Sequence, residues 1–265
     1  MVVTETVRAP AVAGTFYPAS AAELASVVDR LLGAVQVTLG APCPKALIVP
    51  HAGYVYSGPI AASAFARVAP HAERITRVVL VGPAHRVYVE GLVTPGATRL
   101  RTPLGELEVD TDALRALPEL AANPTAHARE HSLEVELPFL QRVAPRAKIV
   151  PLAGTRAKPE IVGRALESLW GGPETLIVIS SDLSHYLPYR EGRALDETTC
   201  ARIAALDTTI EGERACGSIG INGLLWVARR KQLSIELVDL RSSGDTAGSR
   251  DEVVGYAAFA LYEAA

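Results

Sequence analysis

Four apolar runs in this chain end on groups that can do chemistry. "ALIVP" leads into His51, "VVLVGPA" into His85, "TLIVISS" into Asp182 and His185, and "IELVDL" into a polar segment carrying Asp245. Two neutral imidazoles and one carboxylate make a facial set that binds a divalent metal and leaves positions open. His51, His85 and Asp245 are the candidate metal ligands. Imidazole titrates near neutrality, so His185 and His131 are the candidates for moving a proton. Asp182 could orient one of those rings from behind.

A histidine at one strand end is more often a hydrogen-bonded structural residue than a ligand. Repetition over independent strands is what argues for a site. His71 and His127 lack that context and read as surface residues in polar connecting segments. Glu130 and His131 open "EHSLEVELPFL", which reads as a helix start with Glu134 one turn on; Glu134 and Glu136 also read as a solvated face. Cys43 and Cys200 read as inert small hydrophobes, while Cys216 stays open. There is no GxGxxG, no Walker pattern and no GxSxG, which weakens nucleotide-cradling and α/β-hydrolase readings.

The elements that must position these groups alternate. Strands are expected at Ala46–Val49, Arg77–Val81, Lys148–Leu152, Thr175–Ser180, Ser234–Leu240 and Val253–Leu261. Several are short, continuously apolar runs, the pattern of strands buried on both faces. Pro50 cannot donate to a ladder and should end its strand. Helices are expected at Pro59–Val68, Asp110–Leu117, Ser132–Val143, Pro159–Leu169, Arg190–Ala205 and Ile219–Arg230. Another should follow Ser20 and Glu23, a capping-box pair, with Leu24, Val27, Val28 and Leu31 on one face. This alternation predicts a three-layer α/β/α fold around a largely parallel sheet. "VEGLVTPGATRLRTPLGELEVD" has strand composition and turns, and reads as a hairpin or antiparallel edge. Ligands of open α/β sheets bind beyond the carboxyl ends of the strands, where these groups converge.

With 265 residues, 49% of them apolar, and no polar linker or repeat, residues 1–265 read as a single domain. A net charge of −3 and scattered arginines exclude a nucleic-acid footprint. No apolar run reaches the length of a membrane span. Three cysteines without a CxxC, and no secretory signal pattern, point to a reducing, cytoplasmic setting.

The motifs "AGTFYPAS", "PHAGYVYSG", "VGPAHR", "RTPLGELEVD", "EHSLEVELPFL", "SSDLSHY" and "SSGDTAG…VVGYAAFAL" together resemble the Memo family, in its usual order, from about Ala13 to Leu261. Bacterial and archaeal members are labelled AmmeMemoRadiSam system protein B. The resemblance implies a fold similar to the class III extradiol dioxygenases, whose histidine-rich site holds Fe(II) and uses a further histidine as acid/base. It implies that His51 and His85 match family histidines. The eukaryotic relative binds copper or iron in the matching pocket and is described as a phosphotyrosine-peptide-binding effector in cell motility. That relative has a metal-binding cysteine where Asp245 falls, and a carboxylate suits Fe(II), Mn(II) or Zn(II) rather than copper. The implied metal is therefore Fe(II) first, with zinc and copper as alternatives. The family's "CG" stretch stands here as "ACGSIGING", with Cys216 kept and no histidine. The family label implies a radical-SAM-type protein of the same system as a partner.

Three functions compete. A non-haem-iron, dioxygenase-like oxidoreductase would use His51, His85 and Asp245 as ligands and His185 as proton shuttle. A metal-assisted hydrolase would use the metal to acidify water. A binding module would use the pocket for a peptide or partner, or a small molecule, without turnover.

Overall fold

The computed structural model describes residues 5–38, 40–117 and 119–264. The continuous apolar runs become strands β1 (Ala46–Val49), β2 (Arg77–Pro83), β3 (Lys148–Gly154) and β4 (Thr175–Ser180). They lie in the spatial order β1, β4, β2, β3, all parallel. Leu80 pairs with Val178 on one side and Pro151 on the other. Side chains alternate across a strand, and the core divides accordingly. Leu47, Val49, Val78, Leu80 and Val178 join one apolar cluster. Ala46, Ile48, Val79, Val81, Ile177 and Ile179 join the other.

Helices cover both faces, giving an α/β fold of three layers. On the first face lie α1 (Ala21–Gly33), α2 (Tyr54–Phe65) and α3 (Leu137–Val143), packing Leu24, Val28, Phe65 and Phe139 inward. On the second lie α4 (Pro159–Ser168), α5 (Tyr189–Ala204) and α6 (Ser218–Lys231), contributing Val162, Ile203 and Leu224. Ser20 caps α1 as the sequence predicts, its hydroxyl accepting from the Glu23 amide.

Antiparallel strands flank the parallel heart. β7 (Val253–Tyr262) pairs with β1 on one edge. Its other edge takes β6 (Ser234–Ser242) and, at its start, the short β5 (His185–Leu187). A single turn, α7 (Ser243–Thr246), follows β6. The predicted hairpin forms, Arg99–Thr102 against Gly105–Glu108, but it joins Val7–Arg8 in a separate three-stranded sheet. From that region Val93–Thr94 joins the main sheet, antiparallel to β3, and Val109 makes an isolated bridge to Ile149 of β3.

Two helix expectations need correction. The predicted Ser132–Val143 helix is a 3₁₀ turn, Glu134–Glu136, followed by α3. Pro138 has no N–H, and its ring opposes the carbonyl four residues back, so one continuous helix is disfavoured. α2 starts at Tyr54 rather than Pro59, because the Tyr54 amide donates to the Phe16 carbonyl and the Ser57 hydroxyl to that of Ala52. Among the described residues no helix is long and apolar enough to cross a membrane.

Candidate metal centre

Three strand ends deliver the core of the site. His51 stands two residues past β1, Asp182 two past β4 and His85 two past β2. β4 lies between the other two. The His51 amide donates to Asp182 Oδ1 at 2.8 Å, tying two of the loops together. The His51 and His85 ring centroids are 5.3 Å apart.

A fourth segment closes in because of a glycine. A Cβ on Gly82 would lie 2.8 Å from Leu133 and 2.9 Å from the Ser132 hydroxyl, so only glycine lets that segment reach β2. Ser132 then donates to the Pro83 carbonyl at 2.8 Å. The neighbouring Glu130 carboxylate accepts from His85 Nδ1 at 2.9 Å, from the His131 amide at 2.8 Å and from the Ser132 amide at 2.9 Å. His131 is thereby stacked on His85, with centroids 4.8 Å apart, and Phe16 packs on it at 4.8 Å.

The last donor comes from the turn before α6. A Cβ on Gly217 would lie 2.4 Å from the Ser180 carbonyl, so this turn presses on β4 only because residue 217 has no side chain. Cys216 is carried in with it; its amide donates to the Asp182 carbonyl at 3.2 Å, and its Sγ lies 3.4 Å from His51 Nε2. One ligand atom each from His51, His85 and Cys216 lie within 4.8 Å of one another.

The hydrogen bonds prepare these groups as donors. His85 gives its Nδ1 hydrogen to Glu130, which leaves the lone pair on Nε2. His51 Nδ1 is engaged by Ser180 Oγ at 2.7 Å, and its Nε2 faces Cys216. A fixed far nitrogen is the usual mark of an imidazole oriented toward a metal. Burial pushes His51 well below the ordinary imidazole range, and the neighbouring His131 and His85 add to this. Burial likewise lowers His131 to about 4, against the pull of Glu130, and lowers His185. Burial resists the charge on Glu130, yet the bonds from His85 and Ser132 outweigh it and hold the carboxyl below the usual range. Burial raises Asp182 to about 7. Burial, then Asp182, push the Cys216 thiol up, so a thiolate there calls for a cation beside it. Two lone-pair nitrogens and one thiol fit a metal of the imidazole- and thiolate-binding kind.

The structure separates the sequence candidates. His51, His85, His131, His185 and Asp182 all line one cavity of about 690 Å³. Asp245 does not line it. Its Oδ2 accepts from the Ser242 amide at 2.9 Å and hydroxyl at 3.0 Å, and its Oδ1 from Tyr189 at 2.6 Å, as half of the capping box that starts α7. Cys216 stands in the cluster where Asp245 was expected. Sequence reasoning had a signal for Cys216 in "ACGSIG", but none for Glu130 and Ser180 as the groups that orient the two histidines.

Three residues read as solvent-facing are buried. His127 is 4% exposed and its Nε2 donates to the Val93 carbonyl at 3.0 Å. Glu134 and Glu136 are 1% and 0% exposed. Glu134 pairs with Arg8, and Glu136 lies behind Ser180.

Comparison with known proteins identifies the family. The family model described as Memo-like protein matches residues 8–260. A MEMO1 family protein of Aquifex aeolicus is 38% identical over 268 residues, 94% of this chain and 97% of its own. One from Archaeoglobus fulgidus is 38% identical over 264 residues with the same coverage, and one from Caldivirga maquilingensis 33% over 290 residues, 97% and 99%. The chain belongs to the Memo family.

Proposed function

We propose that this Memo-family protein is a metal-dependent oxidoreductase whose metal, iron first and copper second, is held by His51, His85 and Cys216. The observation that carries the reading is the convergence of two cavity-lining imidazoles, each with its far nitrogen occupied, on one thiol that stands behind the cavity wall. When bound, such a metal supplies electron-transfer chemistry and open positions for O₂ or a substrate.

The chain's own residues do the rest. Burial raises Asp182 to about 7, so its carboxyl can exchange a proton near neutral pH, and the His185 imidazole, kept neutral by burial, lines the same cavity. His131 is held neutral between Phe16 and His85, as an acceptor rather than a cation. Phe16 and Tyr56 bring apolar walls to the cavity, and the exposed Tyr186, with a backbone φ of 58°, lines its rim.

The test is metal content after air-free purification without added metal or chelator, for the parent and for His51→Ala and Cys216→Ala. Near-stoichiometric iron or copper lost in both variants, with metal-dependent O₂ uptake, supports the reading. Stoichiometric zinc moves the assignment to hydrolysis, since histidine and cysteine donors suit Zn(II) equally. No metal in the parent, and none taken up on titration, leaves a binding module.

A further inference from the structure

Glu136 is a buried acid that the metal reading leaves without a task. Among the described residues its side chain has one hydrogen-bond partner, Ser180 Oγ, 3.0 Å from Oε1, while Oε2 has none. The charged group it senses is Asp182, which is also acidic, and the nearby Tyr54 phenol hydrogen is donated elsewhere, to the Val135 carbonyl. An ionised carboxylate in that position would be a buried charge without a counter-ion.

Ser180 reveals where the protons sit. Its Oγ lies 2.7 Å from the Ser132 carbonyl, 2.7 Å from His51 Nδ1 and 3.0 Å from Glu136 Oε1. A hydroxyl has one hydrogen and can accept two. The carbonyl can only accept, so the hydroxyl hydrogen belongs to Ser132. The other two contacts must then be donated to Ser180, one from His51 and one from Glu136. We infer that Glu136 is a positioning residue: held as a carboxylic acid, it donates to Ser180 and with it fixes His51 as the Nδ1–H tautomer, whose Nε2 lone pair faces Cys216. The direction of the Glu136 shift, raised well above an ordinary glutamate by burial and by Asp182, agrees with the geometry. The role of that lone pair as a ligand rests on the metal reading; the tautomer does not.

The experiment uses the metal-free full chain. Infrared difference spectra between the parent and Glu136→Gln should show a carboxylic-acid carbonyl band that the variant lacks. Nitrogen-15 histidine spectra should show His51 protonated on Nδ1 in the parent. Glu136→Gln should keep that tautomer, because the amide N–H replaces the acid O–H. Ser180→Ala, and Glu136→Leu where it folds, should give a mixed or inverted tautomer. Metal affinity should then fall about 10- to 100-fold in Ser180→Ala, the usual loss when an orienting partner is removed, and stay near the parent's in Glu136→Gln. A carboxylate band for Glu136, an Nε2–H His51 in the parent, or an unchanged tautomer in Ser180→Ala would each overturn the assignment. Failure to bind metal with the tautomers as stated would sink only the metal reading.

Discussion

Glu134 and Glu136 are two residues apart and both buried, yet their surroundings are opposite. Every acceptor position on Glu134 is occupied: it pairs with Arg8 and takes the Ala11 amide at 2.8 Å, the Val12 amide at 3.0 Å and the Tyr17 hydroxyl at 2.5 Å. Arg8 in turn donates to the carbonyls of His127 and Glu130. Among the described residues Glu136 has one partner and an empty oxygen, and the chain of contacts that starts on it ends at His51, an imidazole that lines the cavity. Both regions bury charge-bearing residues. They differ in what is left over. Where donors and acceptors match, as in Lys45 giving its three hydrogens to the Trp170, Gly172 and Thr175 carbonyls, the group holds the fold together. Where lone pairs remain and converge on open space, chemistry becomes possible.

The hub gives the largest predicted effect. Glu134→Ala leaves the Arg8 guanidinium buried with only carbonyls and strands two amides and a phenol. Breaking a buried pair by removing one partner costs about 3–5 kcal/mol. The unfolding free energy from urea titration should fall by that amount, read as a lower midpoint at unchanged slope. A loss below about 1 kcal/mol would show that the N-terminal segment is held by packing, and the contrast between the two glutamates would lose its force.

His127 sharpens the comparison with pH. Burial lowers it from 6.5 to about 4, with the Arg8 charge adding, although the bond to Val93 works the other way. The folded pKa lies below the unfolded one, so the unfolded chain binds the proton first as the pH drops. The stability this neutral ring contributes is present above about pH 6.5 and is lost as the pH falls toward 4. A shift of that size corresponds to about 3 kcal/mol as an upper bound. The stability of His127→Gln, measured against pH by denaturant unfolding, should fall less than the parent's between those limits. Parallel curves would place the acid sensitivity elsewhere.

Gly217→Ala tests the other region. The added methyl must push the turn away from β4 by more than side-chain adjustment can absorb, because the atom it meets is the Ser180 carbonyl. Overpacking of this kind costs about 1–3 kcal/mol. Metal uptake should fall along with stability, since the same movement carries Cys216 away from His51. A variant with parental metal content would separate Cys216 from the centre.

How much of this was legible beforehand follows the same division. Ala46–Val49 and Thr175–Ser180 were readable to the residue, because a strand covered on both faces reads as one unbroken apolar run whose limits are marked by polar residues or proline. The gathering of His51, His85, Asp182 and His185 was readable too, since it depends only on which strand each residue follows. Glu134, Glu136 and His127 were not. Charged and titratable residues are mostly exposed, and their burial depends on partners more than 30 residues away in sequence: Arg8 for Glu134, Ser180 for Glu136 and Val93 for His127. The helix expected at Ser132 failed for a local reason, Pro138, that the sequence did contain.

Asp245 gives the smallest predicted effect and the sharpest separation of sequence spacing from folded geometry. In sequence it is a carboxylate in the right segment, beyond the right strand. In the fold its oxygens are already taken by Ser242 and Tyr189, the pattern of the hub rather than of the cluster. Asp245→Ala should therefore cost what a lost helix cap costs, about 1 kcal/mol, reduced further by the partial exposure of the site. Its metal content should equal the parent's while that of Cys216→Ala collapses. The opposite outcome, metal lost with Asp245 and kept without Cys216, would require the loop carrying α7 to turn its carboxylate inward, giving up the capping box to complete a two-histidine, one-carboxylate set.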